Sequence, residues 1–149
     1  FVYRSASDAV PPSAQKVAGV KLSMDGVKVQ WDWNATDQTF TRLQDDKPHL
    51  DPDDVQLNVR SVVILEVEYT NTYSPTSKTL GSGKVTVFTE GVAITGTWER
   101  SNRLIPFTLK DSSGAIIKFT PGRTFVEVAR ADKAAIIAEG VDPEEVKYP

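Results

Sequence analysis

Val20-Lys21-Leu22-Ser23-Met24-Asp25-Gly26-Val27-Lys28-Val29-Gln30-Trp31-Asp32-Trp33 is the stretch whose reading decides the fold. Val20, Leu22 and Met24 alternate with Lys21 and Ser23. Beyond Asp25-Gly26, the apolar series Val27, Val29, Trp31 and Trp33 alternates with Lys28, Gln30 and Asp32. A period of two marks a strand with one buried face, because successive side chains leave opposite sides of the ribbon. Asp25-Gly26 between two such runs signals a hairpin, since a two-residue turn that matches strand twist needs positive φ at both centres. That loop sets Met24 opposite Val27, Leu22 opposite Val29 and Val20 opposite Trp31. All three pairs fall on one face, so pattern and turn chemistry agree.

The same test extends along the chain. Val85 and Val87 lead to Glu90-Gly91, with Val92, Ile94 and Trp98 beyond it. Pairing Thr89 with Val92 places Val87 opposite Ile94, Val85 opposite Gly96, and Gly83 opposite Trp98, whose ring can cover the backbone that the glycine leaves bare. A third hairpin sets Phe107 and Leu109 against Ile117 and Phe119, with Gly114 in the left-handed position of the connection. Val63, Leu65, Val67 and Tyr69 form a further strand with Glu66 and Glu68 on its opposite face. Pro121-Gly122 is a turn before a last strand over 124–128, whose register the sequence leaves open. After it, Asp132 can cap a short helix over 133–139 with Gly140 as its stop. About eight short strands at this spacing predict an all-β, mostly antiparallel sandwich or partly open barrel.

Residues 1–14 read as a linker from an upstream domain, because Pro11-Pro12 and small polar residues cannot hold a ladder. Residues 15–130 are the expected β domain and 131–149 a C-terminal tail. The 149 residues suit one core, and 25% charged with 40% hydrophobic residues is the ordinary globular range. A net charge of −3 provides no general attraction to nucleic acid or anionic lipid. The absence of cysteine excludes a disulfide framework, thiolate metal sites and a cysteine nucleophile. A start at Phe1 with no initiator Met reads as a piece of a longer polypeptide.

Chemistry concentrates in residues 45–54, which hold five carboxylates and the chain's one histidine. Asp45, Asp51, Asp53 and Asp54 are the oxygen ligands that a hard cation such as Ca2+ would take there. The spacing departs from that of an EF-hand, and the competing reading is a solvated connection in which each Asp holds a turn. His49 beside Asp51 also suits a general base, although a nucleophile must be aimed at it. Gly81-Ser82-Gly83-Lys84 lacks the spacing of a phosphate loop and runs into a strand where that motif opens a helix. Trp31 and Trp98 are expected in the core, and Trp33, beside Asn34, is the tryptophan expected to be partly exposed. Residues 70–79 read as a mobile loop, where function often resides.

Several segments also occur together in one order: Lys47-Pro48-His49 with Asp51, Gly81-Ser82-Gly83-Lys84 leading to Val87-Phe88, Gly96-Thr97-Trp98, and Pro121-Gly122-Arg123-Thr124 before Val126-Glu127-Val128. Over about residues 15–130 this resembles the C-terminal portion of the YerB-like family of bacterial lipoproteins, whose function is uncharacterised. Phe125 stands where the family often shows Trp, and Asp46 where Gly is usual. The resemblance implies an exported, extracytoplasmic protein of the cell envelope, tethered through a lipidated cysteine upstream of this chain. It singles out Lys47, His49, Asp51 and Arg123 as binding positions, to which Trp33 is added from its exposure. The expected function is a non-catalytic binding or scaffolding module without a cofactor. Its partners would be its own upstream domain, an envelope protein or the wall polymer. The alternative is a share in a composite enzyme site on cell-wall substrates, with His49, Asp51 or Arg123 contributing.

Overall fold

The computed structural model describes residues 1–5 and 8–149. Ala6 and Ser7, within the expected linker, lie outside the described residues. In chain order the strands are β1 (Val2–Tyr3), β2 (Gln15–Met24), β3 (Val27–Asn34), β4 (Thr39–Gln44), β5 (Lys47–Pro48), β6 (Asn58–Val59), β7 (Ser61–Glu66), β8 (Gly81–Thr89), β9 (Val92–Arg100), β10 (Thr108–Asp111), β11 (Lys118–Phe119), β12 (Thr124–Ala129) and β13 (Ala134–Ala138). The first hairpin has the predicted register, Val20 opposite Trp31 through Met24 opposite Val27. Its turn has φ of 49° at Asp25 and 96° at Gly26. The second also matches, from Gly83 opposite Trp98 to Thr89 opposite Val92. A further turn of this kind joins β4 to β5 through Asp45 (φ 49°) and Asp46 (φ 62°). Asp tolerates the left-handed region better than most residues, and here Asp45 Oδ1 also accepts the Lys28 N–H at 3.0 Å.

One curled sheet runs β12-β7-β8-β9-β2-β3-β4-β5 and forms a half-barrel. β6 and β7, separated only by Arg60, link its two ends: β6 pairs with β4, and β7 with β8 and β12. β7 is buried along its whole length, and its alternation serves two cores. Val62 and Ile64 face an inner cluster with Val20, Leu22, Trp31, Phe40 and Phe88. Val63, Leu65 and Val67 face an outer one with Val87, Ile94, Trp98, Leu109, Ile117 and Phe119. Trp31 and Trp98 are therefore core residues, as expected, one in each cluster. Trp33 is half-buried, 4.8 Å from the Phe40 ring.

Three expectations need correction. Residues 133–139 form no helix; β13 lies antiparallel on β2, with Ile136 opposite Val20. A two-turn helix is marginal alone, whereas as a strand this segment satisfies the backbone edge that β2 would otherwise leave open. The sheet is mostly antiparallel, as expected, with β12 running parallel to β7 and Thr124 opposite Ser61. The strands number thirteen among the described residues against about eight predicted, the excess including two-residue pieces. The third hairpin keeps its turn, with Lys110 opposite Ile116 and Gly114 at φ 86°, but β11 then leaves β10 and pairs in parallel with β1. The N-terminal segment is consequently built into the fold at Val2–Tyr3, while Ser5 and residues 8–14 form no strand and the ladder begins at Gln15.

The C-terminal stretch returns to the outside of β2 and β3. Asp142 caps a 3-10 turn at Pro143–Glu145, and the Tyr148 ring then lies under Lys21 Nζ at 4.8 Å and Lys28 Nζ at 5.2 Å. Its hydroxyl is 3.2 Å from both Gln30 Oε1 and Asp46 Oδ1, acceptors that share its one proton. Burial, and next the charge of Asp46, push this phenol up to about 12.

Candidate functional site

β8 is nine residues long, yet β7 accompanies it only from Val85 to Thr89. Beyond Glu66 the chain follows β12 instead, the Val67 N–H bonding the Ala129 carbonyl at 2.9 Å. Among the described residues, Gly81–Lys84 therefore have a strand neighbour on the β9 side alone. A cleft of about 650 Å3 opens where the two paths separate, lined by Glu66, Tyr69, Lys78, Lys84, Trp98 and Arg130 together with the backbone of Gly81 to Gly83.

Gly83 shapes its floor. A Cβ there would lie 2.6 Å from both the Glu66 carbonyl oxygen and Trp98 Nε1. Only glycine leaves room for the 2.9 Å hydrogen bond that Trp98 Nε1 donates to that carbonyl. The Glu66 side chain, predicted on a solvent face, is 8% exposed. Lys84 Nζ lies 2.8 Å from its Oε1, and the Asp132 N–H donates to its Oε2 at 3.1 Å. Arg130 holds both carboxylate oxygens of Asp25, at 2.6 and 3.1 Å, while its guanidinium lies 4.3 Å over the Tyr69 ring. The Arg130 hydrogen bond keeps the Asp25 carboxyl below its ordinary range. Burial, then the Asp25 charge, raises the Tyr69 phenol, which donates to the Val128 carbonyl at 2.8 Å. The cleft is thus a preformed recess whose charged groups hold one another in place.

A second polar assembly lies inside the barrel wall. Arg42 and Glu127 form an ion pair at 3.1 Å, with side chains 7% and 6% exposed. Trp31 Nε1 donates to the same Glu127 oxygen at 3.0 Å, and the Arg42 guanidinium lies 5.8 Å from the Trp31 ring and 5.5 Å from that of Phe125. Arg42 Nη1 also reaches Gln44 Oε1 at 2.9 Å and His49 Nδ1 at 2.5 Å. Since a guanidinium has donors only, His49 Nδ1 is the acceptor. His49 is further tied down by backbone bonds to Arg42 and Leu57.

The sequence-predicted residues have separate partners. His49 belongs to the Arg42 assembly. Asp51 is exposed, and its Oδ1 accepts the N–H groups of Asp53 and Val55 in a local turn. Arg123 is exposed and donates to Asn58 Oδ1 at 2.8 Å. Lys47 is exposed on β5, and Trp33 packs against Phe40 and the Gly91 turn. Of the proposed cation ligands, Asp45 is engaged with Lys28, and Asp53 and Asp54 are exposed. No three His, Cys, Asp or Glu side chains converge on a metal position among the described residues. Sequence reasoning picked out Gly81 to Lys84 as a motif and Trp98 as core, but did not name Arg130, Arg42 and Glu127 as site residues. For the last two, the sequence offers only that Arg42 shares a strand face with Phe40, and Glu127 with Phe125 and Ala129.

Comparison with known proteins agrees with this architecture. A crystal structure of the YerB protein from Bacillus subtilis matches with a TM-score of 0.71 and 18% sequence identity, over 82% of this chain and 44% of that one. No curated protein sequence matches the chain. Residues 19–126 match the family described as protein of unknown function (DUF3048), C-terminal domain. A match over most of the chain is decisive: the protein belongs to this YerB-like family and carries its C-terminal domain.

Proposed function

We propose that this domain is a non-catalytic binding or scaffolding module of an extracytoplasmic cell-envelope lipoprotein, and that the cleft between Tyr69, Lys84 and Arg130 receives its partner. The observation that carries the reading is the construction of that cleft. Glu66, Arg130 and the Tyr69 hydroxyl spend their hydrogen bonds on neighbours, which preserves a recess of about 650 Å3. Pockets preformed on rigid strands favour recognition, because little order remains to be imposed when the ligand arrives. The methylene stems of Lys78 and Lys84, the Arg130–Tyr69 stack and the exposed Gly81-Ser82 backbone offer a mixed polar and apolar wall. A wall polymer or an envelope protein presents matching amides, hydroxyls and carboxylates. The alternative, a share in a composite enzyme site with His49, Asp51 or Arg123 contributing, has less support, because each of these side chains makes its hydrogen bonds to its own neighbours.

Sedimentation with purified wall material and pull-down from envelope extracts test the proposal. The wild-type domain is expected to co-sediment or be retained, and Arg130→Ala with Lys84→Ala to weaken this by about tenfold or more, the scale of losing two charge-assisted contacts. Failure of both the domain and any longer natural form of the polypeptide to bind either material would sink it.

A further inference from the structure

A second surface, away from the cleft, is built to be covered. Leu104 is 92% exposed and Ile105 43% exposed, yet their loop is held firmly. Arg100 Nε donates to the Ile105 carbonyl at 2.8 Å and Arg100 Nη2 to the Arg103 carbonyl at 2.6 Å. The Leu104 N–H reaches Asn102 Oδ1 at 2.9 Å, and the Ile105 N–H the Asn102 carbonyl at 3.2 Å. The same guanidinium lies 4.8 Å over the Phe107 ring, fixing the loop to the outer core. Four hydrogen bonds thus present a leucine to solvent in one conformation. Beside it, Phe1, Val2, Phe107 and Ile116 border an apolar hollow of about 270 Å3. Phe1, Val2 and Ile116 are each about half exposed (52%, 48% and 44%), and the Phe1 ring rests 4.6 Å from that of Phe119. Apolar anchors that are rigid before binding mark interaction surfaces, since ordering them costs nothing on association.

We propose that this face docks the segment that precedes the domain in longer members of the family. The inference rests on the scaffolding reading above and names one partner within it. Two observations select this occupant. The family match is to a C-terminal domain, and the similar YerB chain is more than twice the length of its matched part. The first residues of the present chain also form one wall of the hollow and are fastened there by β1 pairing with β11. Anything joined ahead of Phe1 emerges at this patch, where tethering supplies an effective concentration of about millimolar even for a weak contact. A second copy of the chain or a lipid surface would lack that advantage.

Hydrogen exchange tests the proposal, comparing this chain with the full natural polypeptide. Amides of residues 101–107 and 114–119 are expected to exchange at least tenfold more slowly in the longer form. Leu104→Asp with Ile116→Asp should abolish that difference and leave the melting temperature of the isolated domain within a few degrees. Equal exchange in the two forms overturns the proposal, as does a natural polypeptide with no folded segment before Phe1. Protection that depends on the concentration of the isolated domain, or that requires lipid vesicles, assigns the face to those occupants and also overturns it. Wall sedimentation separates the two readings: the Leu104→Asp, Ile116→Asp variant is expected to lose protection and keep sedimenting, Arg130→Ala with Lys84→Ala to keep protection and lose sedimentation, and protection retained in the first variant overturns the docking.

Discussion

Arg42 and Glu127 are the residues whose placement is hardest to sustain. Removing a charge from water costs several kcal/mol per ion even after relaxation, and a single ion pair recovers this only when its remaining hydrogen bonds are made. Trp31, Gln44 and His49 complete them here. The Lys47-Pro48-His49 segment therefore has a structural role, because its histidine takes up a donor of a buried guanidinium. Glu127→Gln should cost about 3–5 kcal/mol, the scale for a buried charge left without its partner. Chemical denaturation is expected to show it as a lower midpoint with unchanged slope. Replacing both residues, Arg42→Met with Glu127→Leu, should recover most of that loss, and a double variant as unstable as the single one would contradict this account. At this scale the sequence was legible where side chains obeyed the pattern. Met24, Leu22 and Val20 announced their partners, and Gly83 announced Trp98, because a tight turn fixes an antiparallel register. Arg42 and Glu127 broke the pattern, and a charge in an alternating strand reads outward until its partner, 85 residues away, is known.

Among the elements, the parallel pair β12–β7 was invisible for a related reason. A parallel neighbour comes through a long crossover with no turn to set its register, so Tyr69 and Arg130 could not be placed beside Lys84 and Trp98. β13 was misread because five residues of Ala and Ile carry too little periodicity to separate strand from helix; the open edge of β2 decided it. The β1–β11 pair has an acid-sensitive clasp. Asp8 accepts from Lys118 Nζ, and from the Ser5 N–H at 2.7 Å, and these bonds lower its carboxyl from 3.8 to about 2, the Lys118 hydrogen bond contributing most. A depressed carboxyl stabilises the folded state fully above its unfolded value and loses that contribution as pH falls through the folded one. The stability difference between wild type and Asp8→Asn should therefore be constant above about pH 4–5 and shrink toward zero below pH 2. Denaturation midpoints at a series of pH values check this, and a difference that persists undiminished at about pH 1.5 would remove Asp8 from the clasp.

For the whole molecule, the decisive feature is that β7 belongs to both cores. Each of its faces is covered, so neither cluster can lose its packing without exposing the other side of one strand. Trp31 reports the inner core and Trp98 the outer one. Fluorescence of Trp31→Phe and Trp98→Phe variants, each also carrying Trp33→Phe, is expected to follow single transitions that each coincide with far-ultraviolet circular dichroism of the same variant. Separated transitions within either variant would show two independently melting layers. The tail that crosses the outside of β2 and β3 carries its own optical signature. Because Tyr148 ionises only near 12, its phenolate absorbance at ~295 nm should rise late in an alkaline titration, well above the ordinary tyrosine value of about 10. When the tail is freed, that absorbance should move back toward 10, so an ultraviolet spectrum recorded at about pH 11 distinguishes a seated from a released C-terminus without any label.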